Sequence, residues 1–186
     1  MPLEYMQSDS YTLFHERQSL IRSHFFVQAL FFFLIILAWW GFIQQIVLGI
    51  PFGPNVATDA EILIIWIMAG WLIPALLLSM RLDIEVTQAE LRFQYVPFHF
   101  SFQVIPCSSI LQADVESYRS LFTHGWGIKY RSGVISYTVS GHEGVLITYL
   151  SPAGKEKKIL LGSQSAFELE RVLFKTMMSK NSLSKS

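Results

Sequence analysis

Two long stretches of this chain are apolar on every helical face. The first runs from Phe25 to Ile43, with an apolar tail through Leu48, and the second from Ile62 to Met80. Neither contains Asp, Glu, Lys or Arg. A helix in a soluble core keeps a polar side for water, and these stretches have none. At about 1.5 Å per residue, roughly nineteen residues reach about 28 Å, close to the thickness of the hydrocarbon core of a bilayer. The pattern therefore predicts two transmembrane helices. Gln28 is outweighed by the apolar residues, each central Leu, Ile, Phe or Val favouring insertion by about 0.3–0.6 kcal/mol. Trp39 and Trp40 mark the outer third of the first span. Pro74 is expected to kink the second, and Gly70 and Ala69 to let the two helices approach. The connecting Gly49-Ile50-Pro51-Phe52-Gly53-Pro54-Asn55 is rich in turn formers, as a helical hairpin requires.

Outside the hairpin the periods differ. Before it, Leu13, Phe14, Arg17, Leu20 and Ile21 recur at helical spacing, which predicts an amphipathic juxtamembrane helix along the inner interface. After it, from Arg81, the period drops to two. Leu82, Ile84 and Val86 alternate with Asp83, Glu85 and Thr87, and Leu91, Phe93 and Tyr95 with Arg92 and Gln94. Further strands are expected at 98–104, 110–118, 127–130, 134–139, 145–149 and 157–161, separated by turn residues such as Ser132-Gly133 and Ser151-Pro152-Ala153-Gly154. Many short strands at this spacing imply an antiparallel sandwich or barrel. Ser165 and Glu168 then form a capping-box pattern before a helix whose stripe is Ala166, Leu169, Val172, Leu173 and Met177. That stripe is expected to plug an open barrel end. The expected organisation is a juxtamembrane segment over 1–24, a transmembrane hairpin over 25–80, a β domain over 81–179 and a disordered tail over 180–186.

Charge sets the orientation. Arg17, Arg22 and Arg81 flank the outer ends of the hairpin, whereas its loop holds Asp59 and Glu61 and no Lys or Arg. The positive-inside rule then places both termini in the cytoplasm. No small-residue cleavage pattern follows the first span, which argues against a signal peptide. The formal net charge is zero, so no basic field draws nucleic acid. The single cysteine, Cys107, allows no intrachain disulfide and fits a half-buried strand-end thiol in a reducing compartment.

A seven-stranded β arrangement closed by one C-terminal helix is the layout of the pleckstrin-homology (PH) superfold. Several segments resemble, in order, a family of uncharacterised bacterial membrane proteins with two spans and a PH-like domain. They are Phe14-His15-Glu16-Arg17-Gln18, Ile46-Val47-Leu48-Gly49-Ile50-Pro51-Phe52-Gly53, Phe93-Gln94-Tyr95-Val96-Pro97-Phe98-His99, Gly125-Trp126-Gly127-Ile128-Lys129-Tyr130, Tyr137-Thr138-Val139-Ser140-Gly141 and Leu161-Gly162-Ser163-Gln164. The resemblance implies an α+β architecture, a transmembrane hairpin followed by a PH-like antiparallel β-barrel or sandwich with one C-terminal helix. It carries no activity onto particular residues.

Candidate chemistry is sparse. The five histidines show no metal-ligand spacing, no nucleophile has an assignable base, and no phosphate-cradling loop is present. No catalytic activity, cofactor or metal is therefore expected. Trp126, Lys129, Tyr130 and Arg131 form either a contact surface or a strand whose Trp covers the core. Lys155, Lys157 and Lys158, interrupted by Glu156, either face anionic headgroups or form a solvated hairpin tip. The turn Thr87-Gln88-Ala89-Glu90 lacks the basic residues with which PH domains take phosphoinositides. The expected function is a membrane-anchored binding or scaffolding module for a protein or peptide, the alternative a sensor of anionic lipid headgroups. The topology has a direct check. A cysteine replacing Asn55 is expected to react with a membrane-impermeant thiol reagent in intact cells, and protection there would reverse the orientation.

Overall fold

The computed structural model describes residues 11–20, 25–53, 57–117, 127–139 and 141–183. The chain forms two compact units, residues 19–80 and residues 1–18 joined with 81–186. The β unit is thus discontinuous in sequence, and the helical unit is inserted into it.

In the helical unit, α1 (Phe25–Phe42) continues into a π-helical turn at Ile43–Val47. α2 (Asp59–Ile67) passes through a second π-helical turn, Met68–Leu72, into α3 (Ile73–Ser79). Gln28–Val47 and Asp59–Ser79 are both long and apolar enough to cross a membrane. Only 22% and 17% of their apolar windows are buried within the chain, whereas a core helix would be mostly covered. Phe31, Ala38 and Gly41 on one helix and Ile62, Gly70 and Pro74 on the other are buried, and the two helices meet in an aromatic seam. There Phe42 stacks on Trp66 at 4.3 Å, and Trp39 meets Trp66 and Trp71 edge-on at 5.3 and 5.7 Å. Gly70 makes room for these rings, since a Cβ there would stand 3.2 Å from Trp66 Cδ1 and 3.5 Å from Trp39 Nε1. Pro74 has no N–H to give, and it follows the π-helical turn in the first turn of α3.

The connecting loop is tied by polar groups. The Gln45 carboxamide donates to the Ala57 carbonyl (2.8 Å) and Asp59 (2.9 Å) and accepts from the Phe52 N–H (3.2 Å). Thr58 and Glu61 form a capping box that starts α2. At the other end of the hairpin the Leu20 N–H donates to the Met80 carbonyl at 3.3 Å, so the two ends of the inserted unit lie side by side.

The β unit has two sheets. β1 (Phe14–Ser19), β2 (Arg81–Val86), β3 (Glu90–Val96) and β4 (Gln103–Pro106) lie in that order in the first. A 3-10 turn, Cys107–Ser109, leads to β5 (Ile110–Ser117). β6 (Gly127–Arg131), β7 (Val134–Thr138), β8 (Glu143–Leu150) and β9 (Glu156–Gly162) complete the second sheet, ordered β5-β8-β9-β7-β6. α4 (Ala166–Leu183) packs on β5, β8 and the 3-10 turn through Ala166, Leu169, Leu173 and Thr176.

Several expectations are corrected. The sheets do not close into a barrel, so α4 plugs no barrel mouth, and β7 and β9 pair in parallel within an otherwise antiparallel sheet. The segment expected to be a juxtamembrane helix contains β1. Residues 98–102 are a loop rather than the start of a strand, because the His99 N–H turns back to the Tyr95 carbonyl (2.8 Å). α4 runs on to Leu183, past the point where a tail was expected; residues 184–186 lie outside the described residues.

The core is formed by Leu82, Ile84 and Val86, by Leu91, Phe93 and Tyr95, and by Val145, Ile147, Ile159 and Leu161. β8 and β9 approach closely at Gly144, where a Cβ would lie 2.5 Å from the Leu161 carbonyl oxygen. Cys107 is fully rather than half buried.

β1 is held by polar bonds on both faces. Outward, Arg17 and Arg81 converge on Asp83 at 2.6 and 3.1 Å and cover it, leaving that carboxylate 2% exposed. Inward, Glu16 accepts from the Ser163 hydroxyl (2.5 Å) and the Gln164 N–H (2.8 Å), and the buried Gln18 amide donates to Glu16 (2.9 Å) and to the Gly162 carbonyl (2.8 Å). Leaving a buried donor unsatisfied costs about 1–3 kcal/mol. Replacing Glu16 by Ala is therefore expected to lower the thermal midpoint in detergent by roughly 10 °C, measured by the loss of β circular dichroism. An unchanged midpoint would show that the clamp contributes nothing.

Candidate functional site

The site grows out of the space between the two sheets. Phe93 on β3 and Tyr137 on β7 face each other with ring centroids 5.0 Å apart. His99, from the loop after β3, leans edge-on against Tyr137 at 5.3 Å, and Tyr95 lies 6.4 Å from the same ring. Over Phe93 and Tyr137 opens a groove of about 520 Å³; Tyr95 and His99 pack behind them without lining it. Gln103, Val104 and Ile105 of β4 form one wall. The other comes from Tyr130, Gly133 and Ile135 at the β6–β7 turn, with Tyr149, Glu156, Lys157 and Lys158 at the end. The register explains the grouping, because Tyr130 pairs with Ile135, Ile135 with Ile159, and Tyr149 with Lys157.

Burial tunes these groups. The Tyr95 phenol, whose hydroxyl donates to the Thr138 carbonyl (3.3 Å), is pushed up to about 12 by burial. Burial also raises Tyr137 and Tyr149, Tyr137 further through its neighbour Tyr149. All three therefore stay neutral hydrogen-bonding phenols at physiological pH. His99 is shifted the other way, below its ordinary value, because burial disfavours the imidazolium. Its Nδ1 accepts from the Tyr95 N–H at 3.4 Å, a bond only the neutral ring can make.

The residues singled out from sequence divide between two hollows. Tyr130, Lys157 and Lys158 come together in the inter-sheet groove. Lys129 and Arg131, again with Tyr130, line a second hollow of about 600 Å³ with Glu116, Ser136, Leu146 and Leu160. Tyr130 is 75% exposed and shared by both. Lys155 lies in the β8–β9 turn, its N–H donating to the Ser151 hydroxyl at 3.2 Å, and lines neither hollow. Lys158 stands 3.7 Å from the Glu156 carboxylate, which reduces the charge the pair presents. Trp126 lies outside the described residues. The sequence reading missed the groove's aromatic floor, although Phe93 and Tyr137 fall in alternating strand positions that signal an inward face. Among the described residues no three His, Cys, Asp or Glu side chains cluster as metal ligands would.

The groove thus brings together tilted aromatic rings, phenols, two lysines beside the Glu156 carboxylate, and the edge strands β4 and β6. The chain as a whole is an α+β protein with two membrane-length apolar helices inserted into a two-sheet β domain. A family model matches residues 6–179, and the chain belongs to that family, a family of unknown function (DUF6141). No curated protein and no solved structure matches it.

The His99 shift has a testable sign. A histidine whose folded value lies below its unfolded value of about 6.5 leaves full stability above that pH, and stability falls as pH drops toward the folded value. Between about pH 7.5 and about pH 5, the thermal midpoint of the wild type is expected to fall more than that of His99→Gln. Parallel curves would remove His99 from the account.

Proposed function

We propose that this chain is a membrane-anchored, PH-like binding module without catalytic activity, which holds a protein or peptide partner at the cytoplasmic face of the cell membrane. The observation that carries the reading is the groove between the sheets. Among the described residues β4 and β6 are sheet edges, and both contribute to its walls. An extended peptide entering there finds main-chain partners along β4 and aromatic faces beneath it, the physics of β-strand addition. At the end of the groove Lys157, with Lys158 partly neutralised by Glu156, favours a peptide with an acidic side chain there.

The anchor half rests on the two apolar helices, whose outward faces suit lipid better than water. Their adjacent ends suit two crossings that begin and end on one side, and the arginines around those ends suit the cytoplasmic side. The PH-like half is supported by two sheets followed by a single C-terminal helix, with the parallel β7–β9 pair as a departure from the all-antiparallel plan.

A photo-crosslinking amino acid at Tyr130, in the full chain in native membranes, tests the site. It is expected to give a discrete protein adduct that is absent when the probe replaces Lys175 on α4. The joint change Lys157→Glu and Lys158→Glu should weaken that adduct about tenfold, the scale of a lost charge-assisted hydrogen bond. No adduct beyond the Lys175 control would remove the groove as a binding site. Adducts to lipid alone would favour the headgroup-sensing alternative through Lys155, Lys157 and Lys158.

A further inference from the structure

The loop between β3 and β4 carries three exposed phenylalanines. Phe98 and Phe102 are exposed, and Phe100 is 98% exposed, the most open large apolar side chain among the described residues. A soluble domain rarely leaves three rings of one short loop in water. The loop is nevertheless firmly built. Its His99 is bonded to Tyr95 through the backbone (2.8 Å), the Gln94 side chain donates to the His99 carbonyl (2.9 Å), and the Phe98 ring rests 5.9 Å from Tyr95.

Its place in the sheet identifies what covers it. β2 begins at Arg81, the residue after Met80, where the chain leaves the second apolar helix. Arg81 is paired with Val96, the last residue of β3. Neighbouring strands lie about 5 Å apart and rise about 3.3 Å per residue, so Pro97 and Phe98 fall within about 10 Å of Arg81. The headgroup layer is several ångströms deep on each side of the hydrocarbon core. The loop therefore stands at the end of the sheet that carries Arg81, the first residue after the inserted helical segment. Charge agrees, for no Asp, Glu, Lys or Arg occurs between Arg92 and Asp114. Val104, on the strand that follows the loop, is exposed as well.

We propose that the Pro97–Phe102 loop is an interfacial wedge, its phenylalanine rings seated at the headgroup–acyl boundary of the bilayer. The wedge gives the β unit a second membrane contact beside the helical hairpin and so restricts how the groove is presented. Aromatic rings favour this layer, and a loop already folded loses little freedom on entering it. The inference rests on the reading that the apolar helices cross the membrane.

The test uses the full chain reconstituted in vesicles of phosphatidylcholine and phosphatidylglycerol. An environment-sensitive fluorophore is placed on Phe100→Cys, on Gln88→Cys at the β2–β3 turn, or on Ile36→Cys within α1. Phe100 and Gln88 are exposed, so neither substitution disturbs packing. Lipids carrying a nitroxide near the headgroup are expected to quench the label at position 100 several-fold more strongly than at position 88, while acyl-chain nitroxides quench position 36. Quenching at 36 with none at 100 would overturn the wedge and leave the hairpin reading intact. No quenching at 36 would overturn both. A blue-shifted label at 100 that lipid nitroxides do not reach would assign the loop to a protein contact, such as a second copy of the chain, and also overturn the wedge.

Discussion

The β unit depends on a handful of polar bonds made by its first strand. β1 reaches the sheet before the helical hairpin begins, and every other strand comes after it ends. Glu16 and Gln18 join β1 to the Gly162–Gln164 junction between β9 and α4, so one strand ties the first sheet to the second. Arg17 and Arg81 close over Asp83 on the opposite face. Two of the segments quoted for the family resemblance, 14–18 and 161–164, meet in this clamp although nearly the whole chain separates them.

This connectivity constrains the helical unit as well. A segment inserted between neighbouring strands must leave and return at one place, and the Leu20–Met80 hydrogen bond shows the two ends side by side. An even number of crossings satisfies that requirement and an odd number does not. The same connectivity determines which end of the first sheet carries Arg81 and Val96, and hence where the phenylalanine loop lies. Residues 81–186 alone lack β1, and with it the Glu16 carboxylate that accepts from Ser163 and Gln164 and the Arg17 that joins Arg81 over Asp83.

Much of the fold was legible in the sequence. The apolar helices announced themselves by the absence of any polar face, and most strands of the β unit by alternation, within a residue or two. The misreadings have physical causes. β1 hid because its inward positions after Phe14 are the polar Glu16 and Gln18, whose partners are hydrogen-bonding groups; the apolar residues left over happen to fall at helical spacing. The start of β4 was misplaced because the phenylalanines at 98, 100 and 102 alternate as a strand would, while the backbone bonds of His99 make a turn. The parallel β7–β9 pair leaves no local signature, since either pairing gives the same alternation. For the site, Tyr130 was visible as part of a contact surface or strand and Lys157 and Lys158 as a headgroup-facing cluster or hairpin tip, but their convergence depends on a strand order that no pattern along the chain records.

The central claim is that the N-terminal strand is an integral part of the β unit despite the hairpin that separates them. Hydrogen–deuterium exchange on the full chain in a bilayer mimic tests it most directly. The account predicts that amides of Phe14–Ser19 are protected to the same degree as those of β2 and β3, because they open only with the sheet. Exchange at the rate of an unstructured peptide, with β2 and β3 still protected, would contradict it.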